Sequence, residues 1–95
     1  MDGKAKTYGY KVATIISEKA LVSKSAIIGE GSVIMGKAIT QTGASIGCGV
    51  IISASAVVDY DAIVKDYCHI NTSAIVASGV TVEEMIKVGY GEVYV

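Results

Sequence analysis

An aliphatic residue recurs at every sixth position of this sequence. The series reads Ile16, Val22, Ile28, Ile34, Thr40, Ile46, Ile52, Val58, Val64, Ile70, Val76, Val82 and Val88, with Thr40 as its only polar member. Most residues two positions before a member are small, and glycines fill many of the remaining corner positions. Short strands favour β-branched residues, and tight corners favour small ones. A fixed hexapeptide period is typical of the parallel β-helix, so the sequence predicts an all-β solenoid.

Three hexapeptides can close one triangular coil. Residues eighteen positions apart would then stack on adjacent coils, about 4.8 Å apart. The columns that result are homogeneous: Ile16, Ile34, Ile52, Ile70, Val88; Ile28, Ile46, Val64, Val82; Val22, Thr40, Val58, Val76, Tyr94. Ladders of like residues pack into a dry axial core. We therefore expect about four triangular coils over residues 16–95, preceded by a lead-in or cap over residues 1–15.

The residues just before the inward series form a second row, which is mostly aliphatic. It reads Ile15, Leu21, Ile27, Val33, Ile39, Ser45, Ile51, Val57, Ile63, His69 and Ile75. Neighbours in a strand point to opposite faces, so these side chains should point outward. A small monomer rarely exposes so much apolar surface. We therefore predict self-association, and a closed ring of three copies suits a triangular prism.

The charge and the cysteine content exclude several classes of function. The sequence has no Arg and a formal net charge of -1, so we expect no nucleic-acid partner. No apolar run approaches the ~18 residues that span a bilayer, and the first residues lack the apolar segment of a signal peptide. We therefore expect no membrane association and a cytoplasmic location. Cys48 and Cys68 lack metal-ligand spacing and should be reduced thiols, with Cys68 buried.

His69 interrupts the outward row and is the only histidine of the sequence. It is either an interface side chain with a hydrogen-bond partner or a base in a groove between subunits. A three-histidine zinc site cannot form within one chain, so we expect no metal. The segment Gly29-Glu30-Gly31 is half of a dinucleotide fingerprint, but no helix follows it, which favours a structural role at a repeat corner.

Several segments resemble the hexapeptide-repeat sugar acyltransferases, above all the sialic-acid O-acetyltransferases and the bacillosamine or perosamine N-acetyltransferases. They are residues 9–17, residues 26–31 and the stretch 51–70, which matches the active-site segment of these enzymes. The resemblance covers about residues 8–82, and it concerns only the C-terminal β-helix part of those proteins. It implies a left-handed parallel β-helix, a homotrimer, and acetyl-CoA bound in the groove between neighbouring subunits.

The resemblance also implies catalytic residues. The catalytic base of these enzymes is a histidine followed by an acidic residue, and those positions hold Tyr60 and Asp61 here. A tyrosine has an ordinary pKa of about 10, which makes it a poor base at neutral pH. His69 matches a second histidine of the enzymes, which lies near the cofactor. We therefore expect His69 to act as the base, or else Tyr60 in an unusual environment, with Asp61 orienting the base.

Three small residues fall where the related enzymes contact their ligands. Ala77 and Ser78 match positions that face the cofactor, and Ser53 matches a substrate contact. Each of the three is also explained by the fold, because corners of a solenoid favour small residues.

Two functions are consistent with these observations. The first is an acetyl-CoA-dependent acetyltransferase, in which an amino or hydroxy group of a sugar or nucleotide sugar attacks the thioester while a base removes its proton. The alternative is a catalytically inactive trimeric β-helix, either a scaffold or a truncated subunit that lacks the substrate-binding domain. His69 and the retained groove segment favour the first function, whereas Tyr60 favours the second.

Overall fold

The computed structural model describes residues 13–95, which form a solenoid of two-residue strands joined by short corners. In chain order the strands are β1 (Ile15–Ile16), β2 (Leu21–Val22), β3 (Ile27–Ile28), β4 (Val33–Ile34), β5 (Ile39–Thr40), β6 (Ser45–Ile46), β7 (Ile51–Ile52), β8 (Val57–Val58), β9 (Ile63–Val64), β10 (His69–Ile70), β11 (Ile75–Val76), β12 (Thr81–Val82), β13 (Lys87–Val88) and β14 (Val93–Tyr94). Within the described residues there is no helix that could cross a membrane.

Each strand pairs in parallel with the strand three places later. Sheet I contains β1, β4, β7, β10 and β13; sheet II contains β2, β5, β8, β11 and β14; sheet III contains β3, β6, β9 and β12. The register joins residues eighteen positions apart, as in the pairs Ile16–Ile34 and Ile52–Ile70. The predicted triangular coil and its columns are therefore confirmed. The left-handed winding that the resemblance implies stays a prediction.

The second residue of each strand points into the core. Ile34, Ile52, Ile70 and Val88 are at most 1% exposed, although the residue before each of them is half-buried or exposed. The small residues two positions earlier are buried as well, Ala56 and Cys68 among them. Aliphatic side chains and small corner residues thus fill one continuous axial core, and the predicted inward and outward registers are confirmed.

Every corner from residue 31 onward contains one residue with a left-handed backbone. Five of these residues are glycines (Gly31, Gly43, Gly49, Gly79, Gly91), and six are not (Lys37, Ser55, Asp61, Tyr67, Ser73, Met85). Side chains disfavour positive φ, so each non-glycine corner costs of the order of 1 kcal/mol. The hydrogen bonds between coils impose this conformation whatever residue the sequence supplies.

The first strand begins at Ile15, one residue before the predicted start of the β-helix. The predicted lead-in over residues 1–15 lies almost entirely outside the described residues. At the other end, β13 and β14 continue sheets I and II with the same register, so the coil persists to the end of the described chain.

Candidate functional site

The side chains of Ser53 and His69 meet on the outer surface of sheet I. His69 is the first residue of β10 and lies beside Ile51 of β7, and Ser53 follows β7 directly. The Ser53 Oγ lies 3.1 Å from the His69 Nε2, within hydrogen-bond distance. Backbone hydrogen bonds fix Ser53, since its N–H donates to the Ile70 carbonyl at 2.9 Å and its carbonyl accepts from the Ala56 N–H at 3.1 Å.

Ser53 has no alternative to His69 as a side-chain partner within the described residues. Its side chain belongs to a residue that is only 6% exposed, and His69 is the one partner of its hydroxyl among residues 13–95. A neutral imidazole has one donor and one acceptor nitrogen, and a hydroxyl can be either partner. Either group can therefore be the donor of this hydrogen bond, according to which ring nitrogen of His69 carries the proton.

His69 lies between an aliphatic and a cationic neighbour on the surface of sheet I. Ile51 precedes it on one adjacent coil, and Lys87 follows it on the next. Lys87 is exposed and has no hydrogen bond or ion pair within the described part of the chain. The half-buried His69 thus has an exposed lysine in register beside it, and a positive charge on this surface can attract the negative charge that develops in acyl transfer.

Tyr60 and Asp61 lie at another corner, between β8 and β9. Tyr60 is 50% exposed, and its carbonyl accepts hydrogen bonds from the Ser78 hydroxyl at 3.0 Å and the Gly79 N–H at 2.9 Å. Asp61 has a φ of 58°, and its carboxylate lies over Gly43 on the preceding coil. The Ser78 hydroxyl is therefore bonded to the backbone of Tyr60, whereas the Asp61 carboxylate points toward Gly43 on the preceding coil.

Ala77, the other residue expected to contact the cofactor, follows β11 near the same corner. Its N–H donates to the Tyr94 carbonyl at 3.0 Å, and its carbonyl accepts from the Val80 N–H at 3.2 Å. Both backbone groups of Ala77 are thus used between and within coils. Only the methyl side chain of Ala77 is therefore left to contact a ligand.

One chain does not bring Tyr60 and Asp61 to His69. The pair Ser53–His69 lies on sheet I and at the corner that follows it, whereas Tyr60 lies at the corner between sheets II and III. The width of sheet II separates the two corners. A site that used all four side chains would have to draw them from two copies of the chain.

The cysteines and the acidic residues form no second site. Cys68 is a buried free thiol, as predicted. Its Sγ donates to the Glu83 carbonyl at 2.9 Å, and burial raises the pKa of the thiol. Cys48 is exposed and free. Within residues 13–95, no three His, Cys, Asp or Glu side chains come close enough together to hold a metal ion.

The contact between Ser53 and His69 was missed by sequence reasoning, which assigned the two residues separate roles. The signal is their spacing of sixteen residues, two short of a full coil. Because His69 lies beside Ile51, a residue two places after Ile51 is diagonal to the imidazole on the neighbouring strand. A diagonal neighbour is within reach of a long side chain.

The sequence matches no protein-family model, and a search of curated proteins finds no match either. Solved structures do match. The acetyltransferase domain of PglB from Neisseria gonorrhoeae is 35% identical, with a TM-score of 0.70, over 87% of this chain and 46% of that chain. The same domain in complex with acetyl coenzyme A is 32% identical, with a TM-score of 0.69, over 92% of this chain and 51% of that chain.

A mutant of perosamine N-acetyltransferase from Caulobacter crescentus, in complex with CoA and GDP-perosamine, is also similar. It is 34% identical, with a TM-score of 0.80, over 85% of this chain and 40% of that chain. This chain therefore spans about half or less of the length of the structures that it matches.

Proposed function

Because the chain is related in sequence and fold to the hexapeptide-repeat sugar acetyltransferases, we propose that it transfers the acetyl group of acetyl-CoA to a sugar. The acceptor is an amino or hydroxy group of a sugar or nucleotide sugar. The observation that carries this proposal is the hydrogen bond between Ser53 and His69, which lies in the segment that resembles the active site of those enzymes. Two of the similar structures hold CoA or acetyl-CoA, which supports the choice of donor.

The chemistry requires a base and a polarised thioester. A sugar amine or hydroxyl becomes a nucleophile as its proton leaves, and it then attacks the acetyl carbonyl of the thioester. His69 is the only histidine of the chain, and its half-buried ring is held by Ser53, so we assign it the role of the base. Lys87 would stabilise the negative charge that forms on the carbonyl oxygen.

The active site is proposed to lie between subunits of a homotrimer. On the outer surface of sheet II every outward residue is aliphatic: Leu21, Ile39, Val57, Ile75 and Val93. Leu21 is 66% exposed and Val93 is 54% exposed, which leaves an apolar strip along the full length of the solenoid. A neighbouring subunit that packs on this strip would place its own sheet I, or its own corner between β8 and β9, which holds Tyr60, beside sheet II of the first subunit. Acetyl-CoA would bind in that groove, near His69 and near Ala77 and Ser78.

Light scattering on the purified chain tests this assembly. The expected mass is three times that of one chain. A stable monomer at micromolar concentration would contradict the trimer and any site between subunits. A matched pair of variants tests the surface: Ile75→Asp on sheet II should weaken association, whereas Thr81→Asp on sheet III leaves the apolar strip intact.

A catalytically inactive scaffold is the second candidate, and the tyrosine at position 60 favours it. The phenol replaces the histidine of the related enzymes, and within residues 13–95 its hydroxyl makes no hydrogen bond. If the groove has kept its shape and lost its base, Tyr60→His should restore activity, since a positioned base contributes roughly 10²–10⁴-fold.

The experiment that separates the two functions measures thiol release from acetyl-CoA with a panel of amino and hydroxy sugars. Three proteins are compared: the natural chain, His69→Ala and Tyr60→His. The acetyltransferase predicts activity in the natural chain that is lost in His69→Ala. A scaffold that has kept the groove and lost only its base predicts silence in the natural chain, with activity appearing in Tyr60→His. Silence in all three proteins would contradict the acetyltransferase.

A further inference from the structure

We propose that Tyr67 and His69 flank a subsite on the outer surface of sheet I that holds the sugar ring of the acceptor, with Ile51 as its floor. The inference rests on the proposed function for the class of ligand, a sugar with a free amino or hydroxy group. It goes further because it assigns a place to the sugar ring and a role to Tyr67, which the transfer chemistry itself does not use.

The ring of Tyr67 is held against the backbone of the preceding coil. The Tyr67 N–H donates to the Cys48 carbonyl at 2.9 Å, and a Cβ at Gly49 would lie 2.6 Å from two carbons of the tyrosine ring. Gly49 therefore has no room for a side chain while the ring is in place. Tyr67 is nevertheless 62% exposed, so its ring is fixed along one side and open to solvent on the other.

The backbone of Tyr67 indicates that folding alone does not require this side chain. Tyr67 has a φ of 60°, a conformation that side chains disfavour and glycine adopts freely. Gly49 and Gly31 hold the same corner position one and two coils earlier, and both have a left-handed backbone. An exposed tyrosine at this corner thus adds strain without filling the core. Strained backbone conformations cluster at ligand sites, which favours a binding role for Tyr67.

His69 borders the same surface on its other side. Its imidazole reaches back to Ser53 on the preceding coil at 3.1 Å, just as the Tyr67 ring reaches back to Gly49. Ile51 lies between these two contacts, in register with His69, and is half-buried although it points outward. Because Gly49 and Ser53 are four residues apart, they are separated by at most about 14 Å. The two rings therefore enclose a surface with room for a single sugar ring.

The chemistry of these three side chains suits a sugar. A pyranose has C–H groups on its faces and hydroxyl or amino groups at its edge. The C–H groups bury apolar surface when they contact the ring of Tyr67 and the aliphatic side chain of Ile51. The polar edge would face His69, whose Nδ1 has no partner among the described residues. In the tautomer that carries its proton on Nε2, Nδ1 can accept the proton that leaves the acceptor.

The position of Tyr67 favours the acceptor over the adenine ring of the donor. Tyr67 is two residues from His69, which limits their separation along the chain to about 7 Å. The adenine and the thioester are at opposite ends of CoA, and the thioester has to lie at the base. An aromatic ring beside the base therefore meets the acceptor.

Saturation-transfer NMR with glucosamine tests the subsite without any transfer reaction. The chain has six tyrosines and no Phe or Trp, so irradiation of aromatic protons reaches only the tyrosines and His69. We expect saturation of the glucosamine C–H protons with the natural chain and with Tyr67→Phe, which keeps the ring, and no saturation with Tyr67→Gly. Met85→Gly is the matched control and should behave like the natural chain. Met85 has the same left-handed backbone one coil later, is 73% exposed and lies outside the subsite.

Steady-state transfer from acetyl-CoA supplies a second readout. Tyr67→Gly should raise the KM for glucosamine roughly 10-fold, which corresponds to the loss of about 50 Å² of apolar contact. The kcat and the KM for acetyl-CoA should not change, because the variant removes binding that the ground state and the transition state share. Ethanolamine, an acceptor without a ring, should be used equally well by the two proteins.

Circular dichroism reports whether each variant is folded. We expect Tyr67→Gly to fold, because glycine adopts the left-handed backbone without strain. Tyr67→Asn is the second variant without an aromatic ring, since asparagine also tolerates this backbone. Both variants should give the same loss of glucosamine binding.

The outcomes separate the subsite from the proposed function. No saturation of glucosamine by the natural chain, or equal saturation by Tyr67→Gly, would overturn the subsite and leave acetyl transfer standing. A raised KM for acetyl-CoA, or a smaller mass of Tyr67→Gly in light scattering, would overturn it as well, because the ring would then serve the donor or a neighbouring subunit. Binding of glucosamine that depends on Tyr67, in a chain that releases no thiol with any acceptor, would support the subsite and contradict the acetyltransferase.

Discussion

Thr40 lies beside Val58 in the core of the solenoid, one coil apart, and its hydroxyl has no hydrogen-bond partner among the described residues. Both side chains are buried. Thr40 is also the one residue that breaks the aliphatic series of the sequence. A buried hydroxyl without a partner loses its hydration and gains nothing in exchange.

Thr40→Val should therefore stabilise the fold. Valine has nearly the shape of threonine and continues the column formed by Val22 and Val58. The expected gain in the free energy of unfolding is about 1–3 kcal/mol, the usual cost of an unsatisfied buried polar group. Urea unfolding measures it. Thr42→Val is the control, because the exposed Thr42 hydroxyl bonds to Ser23 at 3.2 Å and its loss should change stability by only about 0.5 kcal/mol. Equal effects of the two changes would contradict the unpaired hydroxyl.

Ile52 and Ile51 are neighbours in β7 and point to opposite faces. Ile52 is 0% exposed, whereas Ile51 is half-buried on the outer surface. Ile52→Asp places a charge without a partner in the axial core, which should cost enough to unfold a small domain. Ile51→Asp should leave the coil folded and disturb association instead. Circular dichroism and light scattering distinguish the two results, and the reverse pattern would mean that the inward and outward registers are exchanged.

Gly29 is required by the spacing of the coils, which explains it without a phosphate ligand. A Cβ at Gly29 would lie 2.5 Å from the backbone carbonyl of Gly47 on the next coil, whereas a Cβ at Gly36 would meet only the Ser17 Oγ at 3.7 Å. Gly29→Ala should thus cost about 1–3 kcal/mol, in the range of overpacked sites. Gly36→Ala should be neutral or stabilise by up to about 1 kcal/mol. Thermal unfolding of the two variants checks this, and a tolerated Gly29→Ala would argue against the close approach.

Cys48 and Cys68 should differ in their reaction with a thiol reagent. Cys48 is exposed, whereas Cys68 is buried, bonds to the Glu83 carbonyl, and has a pKa raised by burial. The thiolate is the reactive form, so near neutral pH the native chain should react at one thiol and the unfolded chain at two. Mass spectrometry of the modified peptides identifies the site. Equal modification of both cysteines in the native chain would contradict the packing of Cys68.

The raised pKa of Cys68 also predicts how stability depends on pH. In the unfolded chain the thiol ionises near its ordinary value, whereas in the folded chain it stays protonated to higher pH. The unfolded state therefore binds fewer protons above that ordinary value, and the free energy of unfolding should fall as the pH rises there. Cys68→Ala should reduce this alkaline loss, which urea titrations at several pH values can measure.

Most of the fold could be predicted from the period alone. A face of six residues and a coil of eighteen residues determine which side chains stack. The observed pairs, such as Ile16 with Ile34, have this spacing of eighteen residues. The corners were predicted less well. Glycine was expected there, but Tyr67 and Met85 adopt the same left-handed backbone, because the ladder of hydrogen bonds outweighs the local preference of one residue.

The candidate site was only partly predictable. Ser53 and His69 were both singled out, yet their contact depends on the diagonal geometry of adjacent strands, which no local pattern expresses. Tyr60 and Asp61 lie in the same stretch of sequence as Ser53, residues 51–70, but the coil carries them to a different corner. The hexapeptide period describes contacts within one chain, and it therefore predicts no contact between these two corners.

Calorimetric titration of the purified chain with acetyl-CoA examines the donor site independently of the acceptor sugar, and it is the decisive measurement for the proposed acetyltransferase. We expect saturable binding of one acetyl-CoA per chain by a trimer, and we expect Ser55→Ala, at an exposed corner position, to bind equally well. A folded trimer that shows no heat of binding at millimolar acetyl-CoA would contradict the acetyltransferase.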